Sequence, residues 1–487
     1  MENPNMLNEL TNLKRLSKTS TRDVEQEEEE AMPVSPMGQF VNSKSISISI
    51  VAVIESQVPI HDVDAIVKHV EGILPTNPRF TSVMVTGNNG VKEWKKVKIN
   101  IMDHVTIPMF RAGESLEFYE GEFNKYLSKI SLEELPRERP LWELHIIMYP
   151  TRSVAGNVVF KLHHSLGDGF SLMGVLLSCF KRADNPNLPL TFPSIRGEAK
   201  PDFHDHKQGI FSGMGKGFSL VYNTIIDFGF GLVKSSLVDD GRTSLRSGDS
   251  GVEFQPIDIC TIIFGLDQLK QIKANLQVTM NDVIMGIIFL GTSLYMKEIG
   301  ENRGKDSSTA LLLLNTRNIN SYSSVEEMVN PDKDNNTKWG NHFGFLHVSL
   351  PHLTSSNPLE YVFEAHRIIK RKRSSAVVLL SGKFLELLRK YRGTEVAASY
   401  LYKTINNSTM SISNLIGPVE QCSLANHPCP GMYFMVVGTP QNLTITMISY
   451  MGKMRIAVGT KGNHINSQKY KACMETAFDI VYKTALL

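Results

Sequence analysis

The sequence predicts an α/β protein built from two domains. Apolar runs of strand length alternate with helical stretches, a polar and glycine-rich segment divides the chain, and no repeat period is visible. With 487 residues, 42% of them hydrophobic and 21% charged, the chain can fill more than one large core and is too apolar to be disordered throughout.

The elements follow in order. Residues 1–31 carry four basic and eight acidic side chains and end in EQEEEE, which reads as a self-repelling, disordered tail. Residues 45–55 (SISISIVAVIE) alternate with period two and then turn wholly apolar, as a strand entering a buried sheet does. Residues 62–73 have apolar positions at helical spacing and stop before Pro75. Residues 158–162 form a further apolar run, and residues 171–183 (SLMGVLLSCFKRA) follow as a helix apolar on nearly all sides, with Ser171 as its expected cap. The first domain is therefore expected over 32–185. Residues 186–256 read as a connector, rich in Pro, Asn, Gly and charge. It encloses an apolar stretch at 209–237, with Phe211, Phe218, Phe228 and Phe230, that suits a membrane-contacting segment and core packing equally. The second domain is expected over 257–487, with strands at 260–265 and 311–314, a helix after Asn281-Asp282, and a hairpin of residues 443–450 against 453–458 about Met451-Gly452.

Composition narrows the partners. The formal charge of +2 gives no field that favours nucleic acid, but the acidic tail leaves the remaining chain at a net +6, suited to anionic headgroups or a phosphorylated substrate. Cys179, Cys260, Cys422, Cys429 and Cys473 are odd in number and scattered, which argues for idle buried thiols over disulfides or zinc, and no metal is expected. The start lacks an apolar signal core, so a cytosolic-facing protein is expected. Residues 218–233 and 283–296 are both shorter than the roughly 18 to 20 apolar residues of a spanning helix, and the second reads as a core helix. Residues 370–373 (KRKR) read as a solvated helix end.

The stretch that carries chemistry is 161–169, KLHHSLGDG. Two histidines leave a strand and an Asp-Gly pair opens a helix, the kind of strand-to-helix junction where α/β sites gather. Side chains of neighbouring strand residues point opposite ways, so only one of His163 and His164 faces a cleft while the other packs or hydrogen-bonds. Asp168 is placed to fix the turn, and Gly169 to remove bulk where a substrate comes close. A neutral imidazole of ordinary pKa near 6.5 is matched to taking a proton from a hydroxyl, typically worth roughly 10² to 10⁴ in rate. No G-x-S-x-G elbow occurs and no cysteine has a catalytic setting, which disfavours a covalent acyl-enzyme.

His-His-x-x-x-Asp-Gly resembles the signature of the CoA-dependent acyltransferase superfamily. Ser35-Pro36-Met37, Pro78-Arg79-Phe80, Asp103-His104-Val105, Pro140-Leu141-Trp142-Glu143, Asn281-Asp282-Val283, Trp339-Gly340-Asn341, Ser413-Asn414 and Gly417-Pro418 narrow it to the plant bifunctional wax ester synthase/diacylglycerol acyltransferases, over residues 32–487. The resemblance implies a chloramphenicol acetyltransferase-like fold of two domains, each a mixed sheet flanked by helices, with an active-site tunnel at their interface. It implies transfer of a long-chain acyl group from acyl-CoA, a co-substrate with no bound cofactor, to a fatty alcohol for cuticular wax or to diacylglycerol for triacylglycerol. By the same resemblance His164 is the general base, His163, Asp168 and Gly169 support the motif, and Pro140, Leu141, Trp142, Asn281, Asp282, Ser413 and Asn414 line or support the tunnel. It also implies a membrane surface at the cytosolic face of the endoplasmic reticulum, with the plasma membrane as the alternative. Two rivals stand beside it: a soluble plant acyltransferase acting on a specialised metabolite, and a non-catalytic lipid binder of the same fold. The first group carries a D-F-G-W-G motif near its C-terminus, whereas the similar Asp227-Phe228-Gly229-Phe230-Gly231 lies in the connector and reads as coincidence. An intact His164 and Gly169 speak against the second.

Overall fold

The computed structural model describes residues 32–87, 91–193, 224, 226–301, 308–315, 341, 343–351, 357–373 and 377–487. The acidic stretch 1–31, residues 209–223 of the apolar connector, and Trp339-Gly340 lie outside the described residues.

In chain order, β1 (Ser49–Ser56) is buried along its whole length, as its unbroken apolar run requires. Asp62 caps α1 (Val63–Ile73) by accepting from the Ala65 N–H at 2.8 Å, and Ile66, Val67 and Val70 form the buried face. After β2 (Val105–Thr106), α2 (Leu116–Leu132) and β3 (Trp142–Ile147), β4 (Gly156–His163) runs into α3 (Gly169–Ser178). The cap of α3 is Asp168, not Ser171: the carboxylate accepts from the Ser171 N–H at 3.0 Å, a bond that serine at that place could not make to itself. The helix also ends at Ser178 rather than at residue 183, because Lys181–Arg182 is drawn into a strand against Cys422 and Ser423.

Beyond the connector come β5 (Ile257–Gly265), α4 (Leu266–Leu276), α5 (Met280–Glu298), β6 (Thr309–Asn315), β7 (Phe343–Ser349), α6 (Glu360–Arg373), α7 (Val377–Arg392) and α8 (Thr394–Asn406). The chain closes with β8 (Met410–Ile416), β9 (Met432–Val437), β10 (Leu443–Tyr450), β11 (Lys453–Lys461) and α9 (Ser467–Ala485). The expected hairpin is β10 against β11, and Met451 (φ 49°) and Gly452 (φ 70°) both take the left-handed region that a tight two-residue turn demands.

Two mixed sheets result. The first has the order β9-β1-β4-β3-β2 and the second β7-β6-β8-β10-β11-β5. One cut at residue 257 does not separate them. β9 pairs antiparallel with β1 from Met432 opposite Ile54 to Val437 opposite Ser49, and Leu385, Ala398 and Leu401 of α7 and α8 pack in the first core. The physical reason is the exposed edge of β1, whose backbone groups would lack partners without β9.

The stretch 283–296 is the core helix expected: α5 is buried on nearly all sides, opened by a capping box between Thr279 and Asp282. Gly286 lets α6 cross closely, since a Cβ there would sit 2.6 Å from Val362 Cα. Among the described residues no single helix is long and apolar enough to cross a membrane. All five cysteines are buried and free, and burial pushes the Cys179 and Cys260 thiols up to about 12.

The reading of residues 370–373 as a solvated end is corrected. Lys372 is buried and donates to Asp227 Oδ1 at 2.7 Å, and Arg371 reaches the same oxygen at 2.9 Å. The pair anchors the helical residues 226–236 against the body, so the sequence DFGFG supplies a buried counter-charge. Within that helix Phe228 packs on the second core while Ile226 and Val233 are exposed; Leu237 beyond it is 80% exposed.

Candidate active site

The centre of the site is made where β4 runs out. His163, the last strand residue, lies opposite Ser49, and the His164 N–H still donates to the Ile48 carbonyl at 2.9 Å, so both backbones are held by β1. Alternation then separates the two rings. His163 Nδ1 accepts from the Ser165 N–H at 3.1 Å, which leaves the proton on Nε2 to face Ser47 Oγ at 3.2 Å. Burial, reinforced by His164 and nearby cations, pushes its pKa down to about 3, so it is a neutral structural ring at any working pH.

His164 faces the other way. Its Nδ1 lies 3.0 Å from Asn341 Oδ1, and because an amide oxygen only accepts, Nδ1 carries the proton and Nε2 keeps its lone pair. Burial lowers its pKa below 6.5, opposed by the Asp168 charge and the Asn341 bond, which keeps the ring neutral and basic at neutral pH. The Phe343 ring stands 5.2 Å away and limits its tilt.

Asp168 and Gly169 hold the turn and the domain contact. Besides capping α3, Asp168 interacts with the half-buried Arg79 guanidinium, whose pKa burial lowers to about 10 while Asp168 pulls it back up. Arg79 also donates to the Leu166 carbonyl at 3.1 Å, so the loop between histidine and helix is stapled from outside. A Cβ at Gly169 would come within 3.1 Å of Leu415 Cδ2 on β8, so the missing side chain makes room for the second sheet at the mouth of the site.

Two cavities meet at His164. One is walled by Val41, Ile48, Leu311, Leu313, Phe345 and Val436, with Ser411, Ser413 and Thr444 among its polar groups. The other is lined by Asp168, Gly169, Phe170, Asn414 and Leu415, and shares His164, Leu313, Phe343 and Ser413 with the first. One face is contributed by the first sheet, its edge strand β9 included, and the opposite face by β6, β7 and β8 of the second, so neither sheet alone forms the cleft.

The expected tunnel residues divide. Ser413 and Asn414 are in the cleft, and Asn414 Nδ2 donates to Asn281 Oδ1 at 3.1 Å, which places Asn281 one contact behind it. Asp282 is buried in its capping box and bonded to His366 at 2.8 Å, a helix-start role. Pro140 and Leu141 are buried ahead of β3. Trp142 is 1% exposed, donates its indole N–H to the Phe80 carbonyl at 2.9 Å and stacks on His104 at 4.2 Å, so it serves the first core and not the substrate.

Asn341 and Phe343 are the site residues that sequence reasoning left out. The signal was Trp339-Gly340-Asn341, read only as a family mark; 177 residues separate Asn341 from His164, and no spacing rule joins them. Replacing Asn341 by alanine is expected to lower kcat about tenfold with little change in KM, because the ring loses the bond that selects its tautomer. Asn341→Asp keeps an acceptor and adds a charge, so it should retain most of the rate and move the acid limb of the pH profile upward. Steady-state kinetics of both variants check this.

Residues 44–237 match the model of the wax ester synthase/diacylglycerol acyltransferase catalytic domain, and residues 339–481 that of the WS/DGAT C-terminal domain. The chain is 28% identical over 454 residues to wax ester synthase/diacylglycerol acyltransferase 11 of Arabidopsis thaliana, covering 91% of each. It is 29% identical over 485 residues to number 6 of the same plant series, again covering 91% of each. Its fold is like that of the wax ester synthase/diacylglycerol acyltransferase from Marinobacter aquaeolei VT8, with a TM-score of 0.58 at 15% identity over 94% of this chain and 100% of that one. The first condensation domain of the calcium-dependent antibiotic synthetase superposes with a TM-score of 0.55 at 9% identity, over 90% and 91% of the two chains. These neighbours share the two-domain architecture of mixed sheets expected from the motif.

Proposed function

The chain belongs to the wax ester synthase/diacylglycerol acyltransferase family and is an acyltransferase, and from that premise we propose that His164 is the general base of long-chain ester synthesis from acyl-CoA. The acceptor is a fatty alcohol, giving a wax ester of the cuticular kind, or diacylglycerol, giving triacylglycerol. The observation that carries the assignment is the 3.0 Å contact of His164 Nδ1 with Asn341 Oδ1, which leaves Nε2 free to accept a proton in a cleft between two sheets.

The step balances with two substrates and one imidazole. Nε2 takes the hydroxyl proton as the alcohol oxygen bonds to the thioester carbonyl carbon. The tetrahedral oxyanion collapses, the carbon–sulfur bond breaks, and the imidazolium returns its proton to the leaving CoA thiolate. The Ser413 hydroxyl, which lines both cavities beside His164, is the group we assign to donate to the oxyanion. Walls that are mostly apolar suit alkyl chains and exclude the water that would hydrolyse the thioester.

The same reading places the protein at a membrane, at the cytosolic face of the endoplasmic reticulum. The net +6 of residues beyond the acidic tail and the exposed Ile226, Val233 and Leu237 support it, as does the insolubility of the products. The pH profile tests the base. With its pKa below 6.5, ester formation should be level through neutral pH and fall only below that value, as protonation removes the lone pair. An acid limb centred at or above 6.5 would speak against a buried, neutral His164.

A further inference from the structure

A third cavity adjoins the apolar one on the side away from His164. It shares Phe345 and Leu401 with the apolar cavity, so these two side chains border both. β7 runs along both. By strand alternation Phe343, Phe345 and His347 share one face, while Leu346 and Val348 on the other pack in the second core. Phe343 stands against the His164 ring, and His347 follows four residues on, about 13 Å along the strand.

The far end is not what a methyl-terminated chain needs. His347 is 7% exposed and Asp227 3% exposed, and among the described residues neither His347 Nε2 nor Asp227 Oδ2 has a hydrogen-bond partner, although Asp227 Oδ1 is held by Lys372 and Arg371. Both side chains line this cavity with Lys372. The ion pair explains Oδ1 as structural, tying the 226–236 helix to α6, but leaves Oδ2 and Nε2 unexplained. Burial and the neighbouring Lys372 push the His347 pKa down to about 4, so the ring is neutral and can either donate or accept.

We infer that this cavity receives the far end of a long-chain substrate carrying a terminal hydroxyl, bound by His347 Nε2, Asp227 Oδ2 and Lys372 Nζ. The hydroxyl hydrogen is donated to Asp227 Oδ2 and the hydroxyl oxygen accepts from the His347 Nε2–H, with Lys372 Nζ as a further donor, which satisfies both groups that a plain alkyl end leaves buried and unpaired. The inference rests on the proposed ester synthesis and adds the class of chain. Either an ω-hydroxyacyl-CoA or an α,ω-diol would present the same chemistry.

Two competition assays separate the sources. Purified protein is given palmitoyl-CoA against ω-hydroxypalmitoyl-CoA with a common acceptor, and hexadecanol against the corresponding α,ω-diol with a common donor. In one arm the hydroxylated chain is expected to be favoured about tenfold in kcat/KM over its methyl-ended counterpart, relative to the same ratio in His347→Leu. Taking the ratio between proteins cancels the diol's second reactive hydroxyl. His347→Gln, which keeps a hydrogen-bonding group, should retain part of the preference, and chains too short to reach β7's far end should show none. The arm that discriminates assigns the cavity to that substrate. No preference in either arm, or a preference that survives in His347→Leu, overturns the inference, whereas absence of ester from every chain would instead sink the ester synthesis on which it rests.

Discussion

Replacing His164 by alanine is expected to lower kcat for ester formation by roughly 10² to 10⁴ while leaving the thermal unfolding curve nearly unchanged. The rate loss follows from the proton inventory. An alcohol attacking a thioester must shed its proton as the bond forms, and the groups lining the two cavities offer His164 Nε2 as the neutral base in the cleft. Asp168 is committed to the α3 cap, and His163 is held neutral between Ser47 and Ser165. The small stability effect follows from where the ring sits. Its backbone bond to Ile48 does not depend on the side chain, and the imidazole borders cavities rather than close-packed core. KM should change little, because substrate chains are held by the apolar walls. Full activity in a folded His164→Ala protein would remove the base from this account.

Asp240→Ala is expected to be the most destabilising single change, by about 3 to 5 kcal/mol, through the loss of a buried carboxylate that accepts five hydrogen bonds. Asp240 is 0% exposed. Its Oδ1 accepts from Lys234 Nζ at 2.6 Å, and its Oδ2 accepts from the backbone N–H and the hydroxyl of both Thr309 and Thr409, at 2.6 to 2.9 Å. One carboxylate thus joins the end of the connector to the first residue of β6 and the turn before β8. Alanine would take the carboxylate away from a buried Lys234 ammonium, from the Thr309 N–H and from both threonine hydroxyls, while the Thr409 N–H keeps its second bond to the Thr309 carbonyl at 3.0 Å. Asp240→Asn should cost less, since it keeps an acceptor for the threonines and loses the charge. Denaturant titration of the three proteins, followed by tryptophan fluorescence, measures the order; an Asp240→Ala midpoint equal to wild type would contradict it.

Local rules made much of this legible. The apolar run of β1, the Asp62 cap, the buried α5 and the Met451-Gly452 hairpin follow from periodicity, capping and turn chemistry within a few residues of sequence. What was misread depends on partners far along the chain. Arg371 and Lys372 look like solvent-facing charge until Asp227 is placed beside them, and a boundary at residue 257 looks natural until β9 returns to the edge of β1. The site shows the same division. His163, His164, Asp168 and Gly169 are adjacent in sequence, and their unequal roles follow from strand alternation. Phe343 and His347 come from β7 of the opposite sheet and Asn341 from just ahead of it, where only the folded pairing of β6, β7 and β8 brings them across from β4.

The central claim is that the acyl group passes in one step from CoA to an alcohol held in the same cleft, and acid-quenched mixing of the protein with acyl-labelled long-chain CoA tests it most directly. Without acceptor, the account predicts no label on the protein and no burst of free CoA. On adding a long-chain alcohol or diacylglycerol it predicts ester and CoA released one for one, with the rate lost in His164→Ala. Label held covalently by the protein, and passed on to alcohol added afterwards, would contradict it.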